Sequence, residues 1–221
     1  MTSRNESTEE GAITTHEPTS PISGEWGAED IRIPRLALLQ NASQAATEYG
    51  AGTFFYDKTI PLTSEENPFL EIYVLSMRKY YEEEKVFNPE SRPLTWDREE
   101  DAKKDGFTSI LKDKNAAKKY GRRAEVTLVV PVPTDHGLYH GPQGSFSKCL
   151  YTVKNKAFSS FTDPVLKASV DPKVGARPWA VKYTMSAKTE HAGNGTYFVP
   201  LVVNAGPATK PMVKWLDENV V

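Results

Sequence analysis

The sequence predicts a β-dominated domain, either a barrel or an α+β arrangement, and three segments carry that prediction. EVTLVVPV (125–132) is a run of strand formers too short for a typical core helix. WAVKYTMSAK (179–188) alternates, with Trp179, Val181, Tyr183 and Met185 on one face and Lys182, Thr184, Ser186 and Lys188 on the other. TYFVPLVV (196–203) follows it across a short Gly/Asn turn at Glu190–Gly195, and the pair reads as a hairpin. Strands with a few helices between them favour this class over a doubly wound sheet.

The remaining elements are read in chain order. Residues 1–24 are rich in Ser, Thr, Glu and Pro, cannot bury enough surface to offset their ordering entropy, and are expected to be disordered. They have no basic start and no apolar run, so no secretory leader is expected. Trp26 is the first bulky anchor. In IRIPRLALLQ (31–40), Pro34 forbids a through-going helix and biases Ile33 to extended backbone, with Ile31 and Ile33 on one face and Arg32 on the other. GAGTFFYD (50–57) reads as a glycine turn and an aromatic strand. FLEIYVLSM (69–77) reads as a buried strand, followed by Arg78-Lys79-Tyr80-Tyr81 and Glu82-Glu83-Glu84. Residues 88–105 are charged and contain proline, an excursion from the core.

Residues 107–120 are predicted helical, because Phe107, Ile110 and Leu111 have helical spacing and Gly121 suits a stop. Residues 134–144 read as a loop and 145–153 as a strand. Phe158 and Phe161 suggest a short helix ending before Asp163-Pro164. Pro200 marks its strand as an edge or a bulge. Thr209 as cap, Pro211 in the first turn, and Met212, Trp215 and Leu216 on one face predict a C-terminal helix in 209–221.

Charge divides the chain. Residues 1–30 carry seven acidic side chains and one basic one, so the formal net charge of −2 conceals a tail near −6 and a body near +4. A mildly basic, aromatic-bearing body tethered to an acidic tail suggests a protein that handles a polyanion. The single cysteine, Cys149, excludes an intrachain disulfide and a cysteine-rich zinc site, and its apolar context suits a small buried residue. No stretch approaches the ~20 apolar residues of a membrane span. A cytoplasmic protein is expected.

Three constellations suit nucleic acid, each with an ordinary structural alternative. The run Lys112, Lys114, Lys118, Lys119, Arg122, Arg123 offers phosphate neutralisation, or a solvated helix end. Arg78-Lys79-Tyr80-Tyr81 offers cations beside stacking rings, or tyrosines packed in a core. The polar face of 179–188, with Tyr197 and Phe198 across the hairpin, offers a binding platform or a wet sheet face. His136 and His140 sit in a Gly/Pro loop with no third ligand, so no metal and no cofactor are expected. No Walker loop, dinucleotide fingerprint or nucleophile elbow is present, and neither acid cluster has a catalytic pattern, so no enzyme is expected.

The order of segments resembles a family of bacteriophage single-stranded-DNA-binding proteins of the oligonucleotide-binding-barrel type. The resemblance rests on Asp30-Ile31-Arg32-Ile33-Pro34-Arg35-Leu36-Ala37-Leu38-Leu39-Gln40, the turn Gly50–Gly52, EVTLVVPV, LYTVKNKAFSSF and the closing hairpin, over roughly residues 30–204. It implies an oligonucleotide-binding (OB)-fold-like antiparallel barrel with helical insertions, placed at 29–208 between the disordered acidic tail (1–28) and the short C-terminal helix (209–221) that the residues themselves predict. The implied role is sequence-tolerant binding of single-stranded DNA in phage DNA replication or recombination, in the host cytoplasm. From its charge alone, the tail is expected to compete with DNA for the basic face and to recruit basic partners, such as replication or recombination proteins. A virion or assembly protein acting through protein contacts is the alternative. With the residue reading, this selects Arg78, Lys79, Lys112, Lys119, Arg122, Lys154, Lys156 and Lys182 for phosphate, and Tyr80, Tyr81, Tyr183 and Tyr197 for stacking. The tail here is N-terminal, whereas the family's is usually C-terminal, and residues 88–124 are charged where some relatives carry a Cys-rich insertion.

Overall fold

The computed structural model describes residues 33–85, 91–154, 157–172, 174, 177–192 and 195–221. The chain divides into units 1–32 and 33–221, and the fold below is that of the second. The expected tail 1–28, Trp26, Ile31 and Lys156 lie outside the described residues.

A small antiparallel sheet opens the unit: β1 (Leu36–Leu38), β2 (Phe54–Tyr56) and β3 (Ile60–Pro61), with the one-turn helix α1 (Ala46–Tyr49) between the first two. Then come β4 (Leu70–Glu83), β5 (Thr95–Trp96), α2 (Glu99–Lys104), β6 (Thr108–Ser109), β7 (Lys119–Pro131), β8 (Tyr139–Gly141), β9 (Gly144–Lys154), α3 (Ala157–Ser169), β10 (Val181–Ala192), β11 (Gly195–Pro207) and α4 (Lys210–Asn219). The main sheet runs β11-β10-β4-β7-β9-β8 with every neighbour antiparallel. The protein is mainly β.

Period-two alternation sorts the core. Ile72 and Val74 of β4, Val126, Leu128 and Val130 of β7, Tyr151 and Val153 of β9, and Val181, Tyr183 and Met185 of β10 share one cluster, completed by Phe158, Phe161 and Val165 of α3. Tyr73, Val129 and Phe146 face the other way, under Met212 and Leu216 of α4. Each fully buried large apolar side chain contributes about 1.5–3 kcal/mol. A satellite cluster of Tyr81, Ala102, Phe107 and Tyr120, with Trp96 against it, packs where β4 and β7 run on toward β5 and α2.

The segment 34–40 joins strands from opposite parts of the main sheet. The Leu150 N–H of β9 donates to the Pro34 carbonyl at 2.9 Å, and Arg35 and Leu150 form a parallel bridge. At the other end Gln40 holds both backbone groups of Phe198 on β11: its Nε2 donates to the carbonyl (3.0 Å) and its Oε1 accepts from the N–H (2.9 Å). The same outer edge of β11 is occupied on either side. Asn41 Nδ2 donates to the Thr196 carbonyl (3.0 Å), and the Ser160 hydroxyl donates to the Pro200 carbonyl (2.9 Å).

The hairpin, the edge position of the Pro200 strand and the C-terminal helix are as expected, with the Thr209 hydroxyl accepting from the Met212 N–H. The predicted 107–120 helix is absent. Phe107 is buried but Leu111 is 65 % exposed, so the spaced residues share no buried face. Two residues form β6, and a turn follows in which the Asn115 N–H donates to Asp113 Oδ1. Lys119 already belongs to β7. The helix lies earlier, at α2. The 158–161 helix does not stop at Pro164: α3 runs through it because Val165 and Ala168 gain core burial that offsets the lost N–H. Trp179 leaves the alternating face. It sits in a 3₁₀ turn, packs beside α4's cluster and donates from Nε1 to Asp217 at 2.8 Å.

Candidate nucleic-acid interface

A groove of about 710 Å³ opens between β1, the 110–114 turn, the end of β9 and β11. Its walls are largely apolar: Leu36, Leu38, Ile110, Leu111, Leu150, Ala157 and Val199 line it. Its charged lining residues are Arg35, Lys114 and Lys154, all exposed, and no carboxylate lines it. Tyr197 and Phe198 line it on the β11 side, with the Phe198 ring turned onto Gly52.

Local structure explains each placement. Pro34 keeps the chain extended and hands its carbonyl to Leu150, which sets Arg35 against β9. Lys154 ends β9. Lys114 lies in the 113–115 turn, and its carbonyl accepts from Lys119 Nζ at 3.0 Å. Phe198 is held by Gln40 and packs against Gly52, where a Cβ would sit 3.0 Å from the ring. Gly52 has φ +93°, so the close approach and the backbone both call for glycine there.

The groove takes up two of the sequence-predicted residues, Lys154 and Tyr197. The other predicted residues are dispersed. Arg78 is paired with Asp97 at 2.5 Å. Tyr80 is half-buried in a recess with Glu82, Asp97 and Glu125. Its hydroxyl pKa is raised first by burial and then by Glu82 and Glu125, against opposing effects from Arg123 and Arg35. That recess is acidic, an unfavourable setting for phosphate. Lys79 is exposed, 5.1 Å above the Tyr81 ring. Lys112 is exposed in the turn. Arg122 lies 4.9 Å over Phe158. Lys182 is paired with Glu71 at 3.0 Å.

Two stacking residues need correction. Tyr81 is buried in the satellite cluster, edge-on to Tyr120, and Tyr183 is fully buried in the main core. Neither presents a face to a base. Tyr81 shares the face of Met77, and Tyr80 the opposite one, because the register shift between Val74 and Ser76 resets the alternation of β4.

The sequence reading missed Arg35 as a site residue, placed Lys114 only in the basic run, and named Phe198 only beside Tyr197 at the 179–188 platform. The signal for Arg35 was its position after Pro34 in an extended apolar segment. Its meeting with β9 and β11 depends on long-range pairing. Arg123 is not part of a basic surface: its side chain is 3 % exposed and its guanidinium binds Glu82 (3.0 Å) and Glu84 (2.7 Å). Among the described residues no group of three or more His, Cys, Asp or Glu could hold a metal ion. No helix among them is long and apolar enough to cross a membrane.

No protein-family model, curated protein or solved structure matches this chain.

Proposed function

We propose that this protein binds single-stranded DNA with little sequence preference, without catalysis, in phage DNA replication or recombination. The observation that carries the reading is the groove: three cations and no carboxylate around an apolar trough with Tyr197 at its side. Cations at a rim neutralise phosphates, and apolar walls and rings favour unpaired bases. The tie to phage replication rests on the resemblance of the sequence segments quoted above. We also read the main sheet and the 34–40 segment together as an OB-type barrel. The Leu150–Pro34 and Gln40–Phe198 hydrogen bonds support that closure.

The test is anisotropy titration of a labelled oligonucleotide, single-stranded and duplex, across a series of salt concentrations. Three phosphate contacts predict a log–log salt slope of about −2 for the single strand. Lys114→Ala should reduce it to about −1.4, one contact fewer. Duplex should bind more weakly. No binding, or a slope unchanged by Lys114→Ala and Lys154→Ala, would overturn the reading in favour of a virion or assembly protein working through protein contacts.

A further inference from the structure

Beyond the Arg35–Leu150 bridge, β1 and β9 diverge. The Leu150 N–H points away from β7 to reach Pro34, so Thr152, two residues along the same strand, also points its N–H and C=O away from β7. On β1, the Arg35 and Leu39 backbones bond toward β2, so Leu36 and Leu38 turn theirs the other way. A continued ladder would join the Leu36 carbonyl to the Thr152 N–H, yet among the described residues the pairing stops after one bridge. Leu36, Leu38 and Thr152 all line the groove. The Leu38 carbonyl accepts from Gln40 Nε2 at 3.4 Å, so the walls carry the Leu36 carbonyl and the Thr152 N–H as unladdered backbone groups set among apolar side chains. Such groups are costly to leave without a partner when a ligand displaces water.

We propose that these strand edges receive the hydrogen-bonding edges of unstacked bases, so that the strand lies with bases inward and phosphates outward on Arg35, Lys114 and Lys154. The inference rests on the single-strand reading above and adds how the strand is oriented and why it must be unpaired. Phosphates are too strongly hydrated to enter an apolar trough, and the exposed rim cations hold them in water. A base offers a flat apolar body for the walls, with donors and acceptors along one edge for the Leu36 carbonyl and the Thr152 N–H. In a duplex that edge is already used, so pairing itself excludes the ligand. Backbone groups carry no fixed side-chain code, which accords with weak sequence preference.

The experiment compares the full chain binding a thymidine oligonucleotide and an abasic oligonucleotide of equal length and charge, at one low salt concentration. Loss of the bases should weaken binding about tenfold or more. A second arm uses Thr152→Pro, which deletes the outward N–H without removing a β7 ladder bond and lies where an edge strand accepts proline. It should weaken the thymidine strand several-fold and leave the abasic strand unchanged, with an unaltered melting temperature as the folding control. Abasic and thymidine strands bound within twofold of each other would overturn the inference while leaving single-strand binding intact. Failure of both strands to bind would instead overturn the functional reading beneath it.

Discussion

At the scale of single residues, the most consequential side chain is Arg123. Its buried guanidinium bridges Glu82 and Glu84, which are themselves 28 % and 22 % exposed. Removing one partner of such a cluster leaves like charges facing each other out of full solvent. Arg123→Met is therefore expected to destabilise the fold by about 3 kcal/mol, at the low end for a buried ion pair because both carboxylates keep some water. The urea midpoint measures it. Tyr183 behaves oppositely. Its hydroxyl is buried with no hydrogen-bond partner among the described residues, and burial pushes its pKa up to about 12. Tyr183→Phe removes an unsatisfied group and should be neutral or stabilising by about 1 kcal/mol at pH 7. The raised pKa means that the fold favours the neutral phenol. Its stabilising contribution is whole below the unfolded value near 10 and is lost as pH climbs from there through about 12. Thermal melts between pH 9 and 12 should show a shallower alkaline loss in Tyr183→Phe than in the parent. The loss will not vanish, because burial also raises Tyr73, Tyr120 and Tyr151.

At the scale of elements, Gln40 decides whether β1 stays joined to β11. One amide satisfies both backbone groups of Phe198. Gln40→Leu keeps the volume and removes both bonds, and should cost about 1–3 kcal/mol. Hydrogen exchange should then quicken at the Phe198 amide and along 36–40, while the paired centre of β7 and β9 keeps its protection. Elements were legible in proportion to how local their causes are. The hairpin followed from alternation and a Gly/Asn turn, and α4 from its threonine cap and spaced apolar residues. The 107–120 prediction failed because its apolar spacing spans β6 and a polar turn, a coincidence that only the burial of Phe107 and the exposure of Leu111 expose. The halt at Pro164 failed because core burial of Val165 outweighs a local rule.

At the scale of the whole molecule, the mainly β class was readable and the interface largely was not. Lys154 and Tyr197 were identifiable as types of residue, but their neighbourhood depends on contacts more than a hundred residues apart, such as Gln40 with Phe198. Charge counted along the chain also misleads. Arg78 and Lys182 stand in cationic or alternating stretches, and the fold gives each a carboxylate. The groove keeps a cationic character because Arg35, Lys114 and Lys154 arrive there from three separate segments with no acid among its lining.

One detail of the last strand governs how copies of this molecule meet. From residue 196 to 200 the rim of β11 has its carbonyls taken by Asn41, Gln40 and Ser160, and position 200, a proline, has no hydrogen to offer. A neighbour seeking to extend the sheet there finds its docking points already filled, and would first have to prise off three side chains. Crowding such molecules together, as on a shared ligand, therefore need not seed fibres from that margin.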